Sequence, residues 1–488
     1  MKCIEIPAAV SAALTTTLTV AIAVASAALL LVGCASPGAP HAPLAATAPA
    51  AAGFAADTAM PQVDAQWWRA FGDPKLDALV ERALAEQPSL QAAATRVARA
   101  AALAEGRAAA DAPQIGLAFD ATRQRFSENG LLPPPYAGHY FNTTSLEASG
   151  SWELDFFGRN RAALDAALGS QRAAEAELQA ARTLLAANVE HAYIGLARTL
   201  ALREVTERAL AQRTETLALT RQRVQAGLDT RVELRQAEGA LPDARQQILT
   251  LDEQAQLLRH QLAALSAQPP EALAGLTPAL TPLQATPLPP QLGLDLLGRR
   301  ADVVAARWRV EASTQDVAAA RAEFYPNVSI VGFGGLSSVG LDRLFQSGSR
   351  VYGIGPAVHL PLFDGGRLRA NLHGHAADLD AAIASYNGTL FDAAREVADA
   401  GTSLQSLQRQ QAEQQAAQAA AESAYDFALQ RYGAGLTPYL VVLNAETGVL
   451  VQRRLGADLK ARVLDTQVAL SRALGGGYAE PAVNQAAR

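Results

Sequence analysis

LFDGGRLRA at residues 362–370 nearly repeats LDFFGRNRA at 154–162. Gly158, Arg159, Arg161 and Ala162 recur as Gly366, Arg367, Arg369 and Ala370, an offset of 208 residues. The same offset relates RVQAGLDTRVELRQAE (223–238) to RYGAGLTPYLVVLNAE (431–446). Arg223, Ala226, Gly227, Leu228, Ala237 and Glu238 have identical partners there. Upstream, Val97 and Pro113 pair with Val310 and Pro326 at an offset of 213. These matches describe a half-molecule of about 200 residues copied once, far longer than a solenoid unit.

Two patterns meet at each glycine–arginine motif. On its N-terminal side, TSLEASGSWELDFF (144–157) alternates. Leu146, Ala148, Trp152, Leu154 and Phe156 fall on one face, and Ser145, Glu147, Ser149, Ser151, Glu153 and Asp155 on the other. Ile115, Leu117, Phe119 and Ala121 likewise oppose Gln114, Asp120 and Thr122. Tyr352, Ile354, Val358, Leu360 and Leu362 repeat the pattern in the second half, and a further strand fits 327–336. This predicts four strands per chain, each half-buried. Segments of about ten residues suit tilted membrane strands, although a sheet on a soluble core alternates in the same way. The Pro/Gly-rich SENGLLPPPYAG (127–138) has the composition of an external loop. Four strands cannot close a barrel, and in lipid an open edge leaves backbone groups unpaired at several kcal/mol each. Membrane strands here would therefore require association: eight strands from two copies, or twelve from three.

On the C-terminal side, no proline appears between Gly158 and Pro242, or between Gly366 and Pro438. Residues 159–226 and 367–432 are predicted helices, each about 100 Å long at 1.5 Å per residue. Leu379, Ile383, Tyr386, Leu390, Val397, Leu404 and Leu407 recur at near-heptad spacing, and Val189 and Leu196 hold the places of Val397 and Leu404 in the first copy. Each long helix reaches a tight turn, where Gly227 and Gly435 suit the left-handed position at a helix end. Return helices follow near 230–266 and 438–474. Shorter helices are predicted at 89–111 and 302–324, long enough to stack end to end on the return helices.

Of the 488 residues, 18% are charged and the net charge is −6, which gives no sign of nucleic-acid binding. Residues 7–33 are apolar and end in LVGC. The small residues directly before a lone cysteine resemble a lipoprotein signal with Cys34 as the acylated first residue. Cys3 would leave with the signal, so the mature chain would have no disulfide and no cysteine metal site. No later run of 18 apolar residues provides a membrane helix. The expected division is a signal peptide at 1–33, an Ala/Pro-rich tether at 34–60, a first repeat at 61–266, a second at 267–474 and a flexible tail at 475–488.

PPQLGLDLLGRRADVVAARWRVEA (289–312), VAAARAEFYPNVSIVGFGG (317–335), PLFDGGRLRANL (361–372) and WWRAFGDPKLDALVERAL (67–84) resemble the outer-membrane factors of tripartite efflux pumps, in the lipoprotein branch of the TolC-like channels. Ala301 departs from the proline usual after the paired arginines. The resemblance covers about residues 60 to 475. It implies an α+β membrane protein: a homotrimer whose twelve-stranded barrel continues into a long helical periplasmic barrel, lipid-anchored at the outer membrane. It also implies partners, a periplasmic adaptor and an inner-membrane transporter docked at the helix-turn tips. Relatives carry an acidic ring just beyond the second turn; here Val441 and Asn444 hold those places, leaving Asp229 and Glu233 beyond the first turn as candidate pore charges. Trp152, Leu154 and Phe156 are the candidate lipid-facing residues.

The chain shows no GxSxG, P-loop or HExxH, and no catalytic pair is legible. His373 and His375 stand two apart, so on a helix they do not share a face. Beyond the covalent lipid on Cys34, no cofactor is expected. The reading is a passive export conduit for small molecules. The competing one is a lipid-anchored periplasmic structural or adaptor protein with a soluble strand domain.

Overall fold

The computed structural model describes residues 42–55, 63–280, 292–293 and 296–480. The export signal and Cys34 lie outside them. The chain forms two compact units, one built on Ala98–Arg172 and Arg307–Ser385, the other on Ala46–Val97, Ala173–Ala306 and Tyr386 onward.

The first unit is organised by an antiparallel sheet in the order β2-β3-β5-β6. Its strands are Gln114–Arg125 (β2), Tyr140–Leu154 (β3), Asn327–Val339 (β5) and Arg350–His359 (β6). The numbering leaves β1 (Phe54–Ala55) and β4 (Leu292–Gly293) for a short parallel pair in the second unit. Among the described residues, neither β2 nor β6 has a partner on its outer edge. β3 stops at Leu154, so Phe156 sits in the following turn, and β6 stops at His359, ahead of Leu360 and Leu362. The cause is local. Asp155 Oδ2 accepts the Arg161 N–H at 2.9 Å, and the Asp364 carboxylate accepts the N–H groups of Gly366 and Leu368 at 2.9 and 2.7 Å. Each aspartate satisfies donors at a helix start, and Gly158 and Gly366 supply the positive φ of the bend. On the helical side, Val317, Ala320 and Phe324 pack against Leu368, Leu372, Leu379 and Ile383.

Helices recur at the sequence offsets. After α1 (Pro74–Glu86), α2 (Pro88–Ala108) is matched by α6 (Ala301–Ala322). The 67-residue α3 (Arg159–Gln225) is matched by the 67-residue α7 (Arg367–Gly433). The 35-residue α4 (Arg231–Leu265) is matched by the 35-residue α8 (Tyr439–Ala473), and α5 (Leu296–Arg299) is a single turn. Pro242 lies inside α4 without ending it.

In the second unit the near-heptad positions are core: Leu390, Val397 and Leu404 form one cluster, while Val189 and Leu196 join α1, α3, α4 and α8 in another. Arg300, the second of the paired arginines, is buried and donates to Asp302 (2.6 Å), Glu396 (2.8 Å) and the Ala473 carbonyl (3.3 Å).

Two segments expected to be loose are packed. Within the predicted tether, the Thr47 N–H donates to Asn387 at 2.7 Å, and Ala52 and Phe54 are buried with Leu390 and Val397. Apolar side chains at two points are enough to dock an Ala/Pro-rich strap. At the start of the predicted tail, Gly475 and Gly477 adopt positive φ where a Cβ would meet the Arg299 carbonyl oxygen at 2.0 Å and Ala65 Cα at 2.4 Å. The glycines permit that close approach.

Candidate channel wall and helix tips

The register sorts the first unit's sheet into two chemically distinct faces. Across β2, β3, β5 and β6, the rows Ile115–Gly150–Gly332–Ile354, Leu117–Ala148–Gly334–Tyr352 and Phe119–Leu146–Leu336–Arg350 lie on one face. Trp152, Leu154, Ile330 and Val358 continue it. Its side chains are uncovered within the chain: Leu117 is 74% exposed, and Tyr352 and Ile354 84% each. A contiguous apolar face of this kind marks a surface meant for another apolar phase. Trp152 keeps a polar handle, donating its Nε1–H to the Asp111 carbonyl at 2.9 Å. Leu154 is half-buried and Phe156 is exposed in its turn. The opposite face carries Gln114, Asp120, Thr122, Ser145, Glu147, Ser149, Ser151, Glu153 and Ser329, interrupted by apolar Phe141, Val331, Val339 and Phe333, the last lying over Gly353.

Where the strands meet the helices, a cleft of about 290 Å³ collects Glu153, Asp155, Arg159, Glu323, His359 and Arg367. Arg159 and Arg367, the first arginine of each motif, line it, and Arg159 pairs with Glu153 at 2.7 Å.

In the second unit the hairpin turns carry the other candidate residues. Gly227 (φ 71°) and Gly435 (φ 75°) are left-handed, as the turn requires. The Leu228 N–H bonds back to Arg223 at 2.9 Å and the Leu436 N–H to Arg431 at 2.8 Å, the six-to-one closure of a helix end. Val441 and Asn444 are exposed on α8. Asp229 is not a free charge. Arg223 donates to it at 2.8 Å, Tyr432 Oη–H at 2.6 Å, and its side chain is 7% exposed. The Arg223 hydrogen bond holds its carboxyl below the usual range, against the opposing effect of burial. Burial and the bond to Asp229 push the Tyr432 hydroxyl up to about 12. Glu233 is half-buried and accepts the Thr230 N–H at 2.9 Å, completing a capping box at the start of α4. Bonding to Thr230 lowers its pKa.

The Arg223–Asp229–Tyr432 constellation was not found from sequence. Its signal is faint: Tyr432 stands where the matching position of the first half has Val224, so the aromatic has no counterpart there. Among the described residues no group of three or more His, Cys, Asp or Glu could hold a metal. No described helix is long and apolar enough to cross a membrane, which says nothing of a barrel.

A sheet with one uncovered apolar face, joined to helices about 100 Å long, defines the class of outer-membrane channel subunits with helical extensions. The family profile for outer membrane efflux proteins matches residues 79–268 and 292–476, and the chain belongs to that family. It is 33% identical over 464 residues to the multidrug resistance outer membrane protein MdtQ of Escherichia coli O157:H7, covering 92% of this chain and 96% of that one. Among solved structures, VceC from Vibrio cholerae superposes with a TM-score of 0.81 at 38% identity, over 85% of this chain and 99% of that one. The channel OprN gives 0.78 at 29% identity, over 90% and 97%. The protein is an efflux conduit of the outer membrane and not an enzyme.

Proposed function

We propose that three copies of this chain assemble into one export conduit, their sheets closing a twelve-stranded barrel and their duplicated helical hairpins forming a periplasmic tunnel. The observation that carries this reading is the sheet of the first unit, apolar and exposed on one face and, among the described residues, unpaired at both outer strands. In lipid those edges must find partners, and β6 of one copy against β2 of the next would supply them. A periplasmic adaptor and an inner-membrane transporter would supply cargo and energy through the helix tips, as the family resemblance implies. The cargo class is small molecules, drugs among them, by analogy with the relatives' names. The soluble-adaptor reading would leave the apolar face without a purpose.

Lipid anchoring at Cys34 is consistent with the docked strap. The Leu44 N–H donates to Asp380 at 2.7 Å. Asp380 stands about 20 Å along α7 from its first residue, and the residues between Cys34 and Leu44 span up to about 35 Å extended. The acyl chains could therefore reach the bilayer that holds the sheet.

Leu117→Arg on the apolar face and Ala118→Arg on the polar face test the assignment. Near the midplane the first should cost about 2–4 kcal/mol per chain and abolish the heat-resistant trimer on gels and in native mass spectra. The second should assemble. Equal assembly of both variants, or a wild-type monomer stable without detergent, refutes the proposal.

A further inference from the structure

The second unit buries a carboxyl that conduction does not use. Glu190 on α3 is 0% exposed, and neither of its carboxylate oxygens has a hydrogen-bond partner. It lies in the core that α3 shares with the 67–71 turn, α1, α4 and α8, beside Val189 and three residues before Tyr193. Asp77 on α1 leaves its Oδ1 buried and unpartnered as well, and Asp77 is the charge that acts on Glu190. The indole Nε1 of Trp68 is also buried without an acceptor.

Neighbouring charges are committed elsewhere. Asp73, ahead of α1, accepts the Tyr193 hydroxyl. Arg69 pairs with Glu81 at 2.6 Å while attracting Asp77. His191 on α3 pairs with Asp465 of α8 at 2.8 Å. Arg259 on α4 donates to the Leu276 carbonyl at 3.1 Å. An ionised carboxylate left unpaired in such a core is heavily penalised, and a second carboxylate beside it adds repulsion. A proton removes both penalties.

We propose that Glu190 is a proton-operated latch: its neutral carboxyl lets the 67–86 segment dock on α3, and loss of that proton as the surroundings turn alkaline releases the segment. Burial first, and then the charge of Asp77, push Glu190 up from 4.5 to about 9. Burial also raises Asp77. Because the folded value lies above the unfolded one, the stabilisation is complete below pH 4.5 and is lost progressively toward pH 9. The segment follows the docked 46–55 strap in the chain, so its release would loosen the N-terminal limb of the second unit.

The test is hydrogen exchange of peptides covering 67–86 in the detergent-solubilised full assembly, at pH 6 and pH 9, with rates corrected for intrinsic pH dependence. One linked proton changes an opening constant by up to about tenfold per pH unit. Opening in the wild type should rise at least tenfold more across that range than in Glu190→Gln, which should stay flat. A smaller difference overturns the latch. Should Glu190→Gln fail to assemble, Asp77→Asn must make the rise in opening level off at a lower pH, and so shrink the total rise to pH 9, because removing the repelling charge lowers the folded pKa of Glu190. An unchanged profile refutes the proposal. Infrared difference spectra give a readout that packing alone would not move: a protonated-carboxyl band at pH 7, lost in Glu190→Gln. Its absence from the wild type overturns the assignment.

Discussion

At 223–230 and at 431–438 the two hairpins turn with the same backbone: a left-handed glycine, a six-to-one closure and a 35-residue return helix. Their side chains differ. The first tip is chemically tied, with Thr230 and Glu233 closing a capping box and Arg223 holding Asp229. The second begins its return helix at Pro438 with no side-chain cap, and Thr437 Oγ1 is buried without a partner. The tie also reaches across: Arg223 donates to the Tyr432 carbonyl at 2.8 Å and lies over the Tyr432 ring at 4.5 Å. The two tips share the geometry that glycine enforces and differ in their polar chemistry. The first hairpin supplies the charges; the second supplies the ring and carbonyl that receive them.

Removing the charge from each tip in turn should break this comparison most visibly. Arg223→Ala strands the buried Asp229 and should cost about 1–3 kcal/mol. Its repeat partner Arg431 is exposed, and Arg431→Ala should stay within about 0.5 kcal/mol. Thermal melts and hydrogen exchange at 219–240 and 427–448 measure both, and equal losses would erase the asymmetry. The same tie should weaken in acid. The folded pKa of Asp229 lies below its ordinary 3.8, so its contribution is present above that value and disappears as pH falls through the depressed one.

A smaller effect sharpens the capping difference. Thr230→Ala removes the cap of α4 and should cost about 1 kcal/mol, read as faster exchange at 231–234. The smallest effect on stability belongs to Asn444→Asp, which installs an acid on the exposed face of α8. Planar-bilayer recordings should show increased cation selectivity. Unchanged selectivity and conductance would remove Asn444 from the constriction.

The legible parts of this protein are those written in local periodicity. Helix ends at 159, 225, 367 and 433 fall within a residue of the predicted helices 159–226 and 367–432, because the glycine turns that bound them act over one helical turn. Strand alternation placed Ile115, Leu117, Tyr352 and Ile354 on one face for the same reason. It overran at Phe156 and Leu360, because the aspartates that start the helices end the strands first. Asp229 read as a pore charge because the partner that completes its burial, Tyr432, lies 203 residues away, although Arg223 is only six residues upstream. The strap at 42–55 read as a tether because Phe54 gives no periodic signal, and the tail glycines read as flexible although three of them thread a tight gap.

The sequence by itself determined the lengths of the helices, the two-faced strands and the glycine turns, since each follows from backbone preferences within a few residues. Only the tertiary structure decided which charges are spent on one another, which carboxyl is sealed from water and which apparent linkers are packed. Those outcomes depend on groups that the chain brings together only after hundreds of intervening residues have folded.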